Sequence, residues 1–260
     1  MLLALVCGAV LGALMGLTGA GGGILAVPAL VASLGWSLQQ ATPVALIAVA
    51  AGATLGALEG LRKGLVRYRA ALLMAACGIP ASSLGLLLAH RLSPHLLLQA
   101  FALILAGVAL RQWRSAAART SPAQFRLAAQ IDADRGRFIW TWPTAVLLAA
   151  VGTLTGVLSG LLGVGGGFVM VPLLQRYTRA PLHAVIATSL MVIALVGIGT
   201  VLNAVQRGMT LPLPFTLWFV LAVAAGMASG RLLVQRLPAV QVQRVFAVLL
   251  AGVAVLLLFK

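Results

Sequence analysis

Acidic residues are nearly absent from this chain: three Asp and Glu stand against 18 Lys and Arg in 260 residues. Two of the three, Asp132 and Asp134, share one polar stretch, so Glu59 is the only carboxylate elsewhere. Charged residues of both signs make up 8% of the chain and apolar ones 62%, which excludes a soluble globular domain for want of polar surface. Cysteine is equally scarce. Cys7 and Cys77 lie singly in apolar runs without C-x-x-C spacing. That excludes a disulfide framework or a cysteine metal site and leaves them as small packing residues. No H-E-x-x-H, G-x-S-x-G or G-x-x-x-x-G-K-[ST] string occurs, so metalloprotease, hydrolase and P-loop chemistry lack their signatures, and no cofactor is expected. Alternation of apolar and polar residues is missing too. Runs such as AVLLAAVGTLTGVLSGLLG are continuous, which argues against a transmembrane β-barrel.

What is present is a series of apolar runs near 20 residues long, the length an α-helix needs to cross a bilayer core of roughly 30 Å. The chain therefore reads as an all-α polytopic membrane protein. Its formal charge of +15 does not point to nucleic acid, because the cations lie between the apolar runs, where orientation signals belong. The first 18 residues are apolar without a basic n-region, so they read as a first span rather than a cleaved signal.

One motif occurs twice. GLTGAGGGILAVPAL (16–30) and GLLGVGGGFVMVPLL (160–174) align without a gap at an offset of 144, with 9 of 15 positions identical. The likeness continues along the chain: Ala41-Thr42-Pro43 resembles Ala187-Thr188-Ser189, and Phe101 and Gly107 match Phe246 and Gly252. A doubled hydrophobic segment broken by Gly and Pro at matching places in two halves points to a transporter binding site.

The halves read as 1–112 and 141–260, joined by an Arg- and Trp-bearing linker, 113–140, expected in the cytoplasm. Apolar segments fall at about 1–18, 23–36, 42–59, 70–89 and 95–112, then at 142–162, 167–176, 184–203, 212–234 and 240–259. This predicts 10 helical segments, about 8 full spans and two short ones after the glycine runs, which either cross or re-enter. Basic residues swap sides between the halves: Arg62, Lys63, Arg67 and Arg69 mark one loop of the first, whereas Arg176 and Arg179 mark the non-equivalent loop of the second. Five crossings in each half reconcile that swap with the positive-inside rule and predict an inverted repeat.

Three consecutive glycines cost about 1 kcal/mol each as membrane helix relative to Ala. They offer backbone N–H groups that a ligand approaches closely, at the positive end of the helix that follows. That arrangement binds anions without a cationic side chain. Gly21, Gly22, Gly23, Gly165, Gly166 and Gly167 are therefore the candidate substrate-binding backbone, with Thr42, Thr188 and Ser189 as hydroxyls at the starts of the next helices. Replacing Gly22 or Gly166 by Val is expected to remove transport while the chain still inserts. The bland alternative is that the glycines only permit close helix packing. Glu59, Asn203 and Arg231 stand near span ends. Glu59 is either a coupling carboxylate or the partner of Arg62 and Lys63 in an interfacial ion pair, and Arg231 either snorkels or reaches a substrate anion.

The paired GxGGGxxxVPxL strings, Gly19–Leu30 and Gly163–Leu174, resemble the TauE/SafE family of sulfite exporters and organosulfonate permeases, and the likeness covers nearly the whole chain. The resemblance implies a bacterial inner-membrane carrier of a small sulfur-containing anion such as sulfite or sulfoacetate. Pro43, where the second copy has Ser189, implies an asymmetric site. A secondary transporter working by alternating access is the leading expectation, with H⁺ or Na⁺ as coupling ion. A passive anion channel, an intramembrane enzyme and a scaffold are the alternatives. The expected partners are the anion and the bilayer, with no nucleic acid and with oligomeric state, a homodimer included, left open.

Overall fold

A computed structural model describes residues 2–18, 22–117, 140–178, 181–206, 212–234 and 239–258. Among the described residues the protein is all helical: α1 (Leu2–Thr18), a 3₁₀ turn (Gly22–Leu25), α2 (Ala26–Leu34), α3 (Leu38–Arg62), α4 (Tyr68–Arg91), α5 (Pro94–Ala117), α6 (Trp142–Leu162), α7 (Gly167–Tyr177), α8 (Leu182–Gln206), α9 (Leu213–Val234) and α10 (Ala239–Leu258). The 10 helices fall where the apolar runs predict them. The first half's last helix runs past the expected boundary at 112, to Ala117.

Helix starts follow from capping chemistry. Ser37 Oγ accepts from the Gln40 amide at 3.3 Å and Gln40 Oε1 accepts from the Ser37 amide at 3.2 Å, a reciprocal cap that sets the first turn of α3. Thr141 caps α6, with Pro143 in its first turn, where the missing N–H costs nothing. Five helices carry apolar stretches of 21 to 24 residues, long enough to cross: Gln40–Arg62, Tyr68–Ala89, Trp142–Leu162, His183–Gln206 and Leu213–Leu233. Of the eight expected full spans the other three have shorter apolar stretches, Leu3–Thr18, His95–Arg111 and Ala247–Leu257.

The principal helix pairs are α4 with α6, α1 with α9, α3 with α8 and α5 with α10, followed by α4 with α8 and α3 with α9. Exchanging the halves, α1 for α6 through α5 for α10, maps this set of pairings onto itself. Glycines let the backbones touch. Along α1 and α9, Gly8 meets Phe219, Gly12 meets Val223 and Gly16 meets Met227, so the two helices run in the same direction. Gly152, Gly156 and Gly160 of α6 meet Met74, Gly78 and Ser82 of α4 in the same way. Gly52 and Gly56 of α3 meet Val223 and Met227 of α9, again in parallel. On α8, Gly197 meets Ala50, whereas Leu190 and Ala187 meet Gly56 and Gly60, so α3 and α8 are antiparallel.

Parallel contacts of α1 and α3 with α9 have a topological consequence. Residues 19–37 must carry the chain back to the face where α1 began, and 163–181 do the same between α6 and α8, which both run with α4. The short helices α2 and α7 lie within these connections. The main buried core surrounds them and joins Ile24, Val27 and Leu30 to Val49, Phe101, Ile193 and Phe219.

Candidate functional site

Both glycine runs interrupt helix. In the first half α1 ends at Thr18 and a 3₁₀ turn begins at Gly22; Gly21 lies outside the described residues. In the second half Gly163, Gly165 and Gly166 adopt φ of 68°, 75° and 60°, the left-handed region that glycine enters without a β-carbon penalty. Helix resumes at Gly167.

The two breaks meet. A β-carbon built on Gly23 would stand 3.0 Å from Val49 Cγ1 and 3.3 Å from the Val164 carbonyl oxygen. One built on Gly165 would stand 3.2 Å from the same Val49 methyl and 2.8 Å from Ile193 Cγ2. Val49 and Ile193 are separated by the repeat offset of 144 and lie near the middles of α3 and α8. At the second break the backbone is buried from Val164 to Phe168. The amides of Val169 and Met170 turn back to the Gly166 carbonyl at 3.2 and 3.4 Å. Among the described residues no backbone acceptor outside the helix ladders takes the amides of Val164 to Phe168. These groups stand at the N-terminal, positive end of an 11-residue helix.

The glycines also pack. A β-carbon on Gly22 would fall 2.4 Å from the Met15 amide nitrogen, and one on Gly166 would fall 2.6 Å from the Thr155 carbonyl oxygen. Valine at either place therefore disturbs the fold as well as any ligand, so those substitutions do not isolate binding.

A narrow crevice lies beside the second break, between the start of α3 and the ends of α6 and α8. Thr42, Leu46, Leu86, Ser159, Thr200 and Ala204 are among its lining residues. Thr42 also abuts the break, because a β-carbon on Gly163 would meet its Cγ2 at 2.4 Å. Gly56, which stands 144 residues before Thr200, is closely packed. Leu190, Met227 and Arg231 side-chain atoms come within 2.7 to 2.9 Å of where a β-carbon of Gly56 would lie.

The other predicted residues are distributed rather than gathered. α3 and α8 are each 25 residues long and begin 144 apart, so Thr42 stands opposite Ile186 in the repeat and Thr188 opposite Val44, a two-residue shift from the Ala-Thr match. Because the helices are antiparallel, Thr42 and Thr188 are at opposite ends of the bundle. Thr188 Oγ1 accepts from the Arg67 amide at 3.0 Å, tying α8 to the start of α4, and Ser189 Oγ donates to the Ile186 carbonyl at 2.8 Å. Glu59 joins two cations: Lys63 Nζ at 2.6 Å on its own helix, and the Arg231 guanidinium of α9, which also donates to the Gly56 carbonyl at 3.2 Å. Asn203, 144 residues after Glu59, donates to Ser83 Oγ at 3.2 Å and links α8 to α4.

Neither Thr155 nor Ser159 stood among the substrate-binding residues read from the sequence. Both are fully buried on α6, beside the break, and neither hydroxyl has a partner among the described residues. Sequence reasoning also passed over the glycines at four-residue spacing, Gly12/Gly16, Gly152/Gly156/Gly160 and Gly226/Gly230, whose small-xxx-small pattern was a readable signal for close helix contact.

The model of the family described as "Sulfite exporter TauE/SafE" matches residues 4–257. The chain is 29% identical over 256 residues to a "Probable membrane transporter protein" of Xylella fastidiosa strain 9a5c, covering 97% of this chain and 93% of that one. The protein of the same name from Xylella fastidiosa strain Temecula1 has the same identity and coverage. No solved structure matches the chain significantly. A family match over almost the full length, on a helical chain whose two glycine breaks converge, places this multi-pass membrane protein in the sulfite exporter TauE/SafE family of transporters.

Proposed function

We infer that the protein is a secondary carrier that moves a small sulfur-containing oxyanion, such as sulfite or sulfoacetate, across a bacterial inner membrane by alternating access. The observation that carries this reading is the convergence of the two helix breaks on Val49 and Ile193, near mid-helix, with buried amides at the second break. Oriented backbone N–H groups suit an acceptor-only anion and need no buried cation.

Two further observations support the mechanism. The repeat-equivalent helices α3 and α8 pack antiparallel, which supports an inverted repeat. The crevice beside Thr200 contrasts with close packing by Leu190, Met227 and Arg231 at the equivalent Gly56, an asymmetry that supports alternating access. With the linker in the cytoplasm, the Glu59–Arg231 contact closes the inner end and the crevice belongs to the outer end.

The test is uptake of labelled sulfite, sulfoacetate and sulfate into proteoliposomes, under imposed pH and Na⁺ gradients. Accumulation of one of these anions above its external concentration, driven by one of the gradients, is the expected result. Flux that only equilibrates supports the passive channel instead, and no flux of any of the three removes the reading.

A further inference from the structure

Hydroxyls in apolar helices normally give their proton to a carbonyl one turn back. Thr18, Thr54, Ser82, Ser189, Thr200 and Ser229 of this protein do so at 2.7 to 2.8 Å. Thr155 and Ser159 do not. Both are completely buried, and neither oxygen has a hydrogen-bond partner among the described residues. An unpaired buried hydroxyl is costly, and such groups cluster where a ligand completes them.

Their placement names the ligand's position. The two residues are one turn apart on α6, on the stripe that faces the second break. Thr155 packs on Gly166, and Ser159 lines the crevice beside Thr42. The buried backbone from Val164 to Phe168, whose amides find no backbone acceptor outside the helix ladders among the described residues, lies alongside. At the repeat offset of 144 the first half has Leu11 and Met15, which are buried and apolar.

We propose that Thr155 and Ser159 are the substrate-selecting side chains of this transporter, donating their hydroxyl protons to two oxygens of an oxyanion seated on the second glycine break. The second repeat then supplies the side-chain donors and the first repeat only apolar wall. Two donors one helical turn apart suit an anion that presents several oxygens. The inference rests on the anion-carrier reading above and adds to it which side chains hold the anion.

The experiment compares wild type with Thr155→Val, Ser159→Ala and Thr155→Ser in proteoliposomes, and follows thermal unfolding in detergent with and without sulfite, using chloride at equal ionic strength as control. Removing one hydrogen bond to an anion is expected to raise the half-saturating sulfite concentration about 10-fold or more for Thr155→Val and Ser159→Ala. Unfolding without sulfite should stay at or above the wild-type temperature, because a buried unpaired hydroxyl has gone. The rise in melting temperature with sulfite should shrink in both, and Thr155→Ser should restore it. Wild-type half-saturation in both variants overturns the proposal while leaving the carrier reading intact. So does a lowered melting point without sulfite that Thr155→Ser repairs, or loss of Na⁺ dependence at unchanged anion affinity, which would make the hydroxyls cation ligands. Absence of anion uptake by wild type defeats the carrier reading itself, and this proposal with it.

Discussion

A methyl group on Gly12 would stand 2.0 Å from the Val223 carbonyl oxygen, and one on Gly156 would stand 2.1 Å from that of Gly78. Backbone on both sides leaves no flexible side chain to yield. Gly12→Ala and Gly156→Ala are therefore expected to lower stability by about 1–3 kcal/mol each, the usual cost of overpacking, read as a fall in melting temperature in detergent. Gly107 and Gly252 make the contrast, since nothing lies within 4 Å of a β-carbon at either. Alanine there should leave the melting temperature unchanged or raise it, by up to about 1 kcal/mol of helix propensity. The sequence could mark the four-residue spacing of these glycines but not rank them, because rank depends on which neighbour lies across the interface. The same limit hid Thr155. Whether a hydroxyl is paired is a property of the turn it sits on and the helix that covers it, and composition carries neither.

At the scale of elements, α3 and α8 set the frame. Glu59 and Asn203 hold equivalent places near their ends, and each reaches across to the other half, Glu59 to Arg231 and Asn203 to Ser83. One link is charged and the other neutral. The Arg231 side chain is 22% exposed, so taking away its carboxylate partner leaves a largely desolvated cation. Glu59→Gln should therefore lower the melting temperature more than the double change Glu59→Gln with Arg231→Met does. With Arg231→Met measured as well, a double loss equal to the sum of the two single losses would show that the pair adds nothing beyond its parts. The helices were legible because apolar runs mark where they lie, while caps such as Ser37 and Gly163 set their ends. The pairing of Thr42 with Thr188 was not, because a short sequence match in a loop-flanked stretch fixes register less firmly than two 25-residue helices do. A two-residue slip turns a side chain about 200° around its helix, to the opposite face.

For the whole molecule, the sense of the repeat has a direct reading. With Cys7 and Cys77 replaced by Ala, cysteines placed at Lys63 and Gln206, at the two equivalent helix ends, should react with a membrane-impermeant maleimide from opposite faces of oriented vesicles. Reaction from one face only would make the halves a parallel repeat and remove the inverted arrangement. The direction of α1, α3 and α9 against that of α4, α6 and α8 predicts opposite faces.

The amino-acid sequence by itself settled the solvent and the plan. Scarce charge and apolar runs of span length require a bilayer and helices, and the duplicated glycine string requires two halves with a backbone break in each. Those features are local or periodic, so they survive in one dimension. Only the tertiary structure decided that the two breaks touch at Val49 and Ile193, that Thr188 is taken up by a neighbouring helix start, and that Thr155 and Ser159 have no partners among the described residues. Each depends on which helix faces which across more than a hundred residues of chain. Close packing through glycine fixes that choice, and no single segment's composition encodes it.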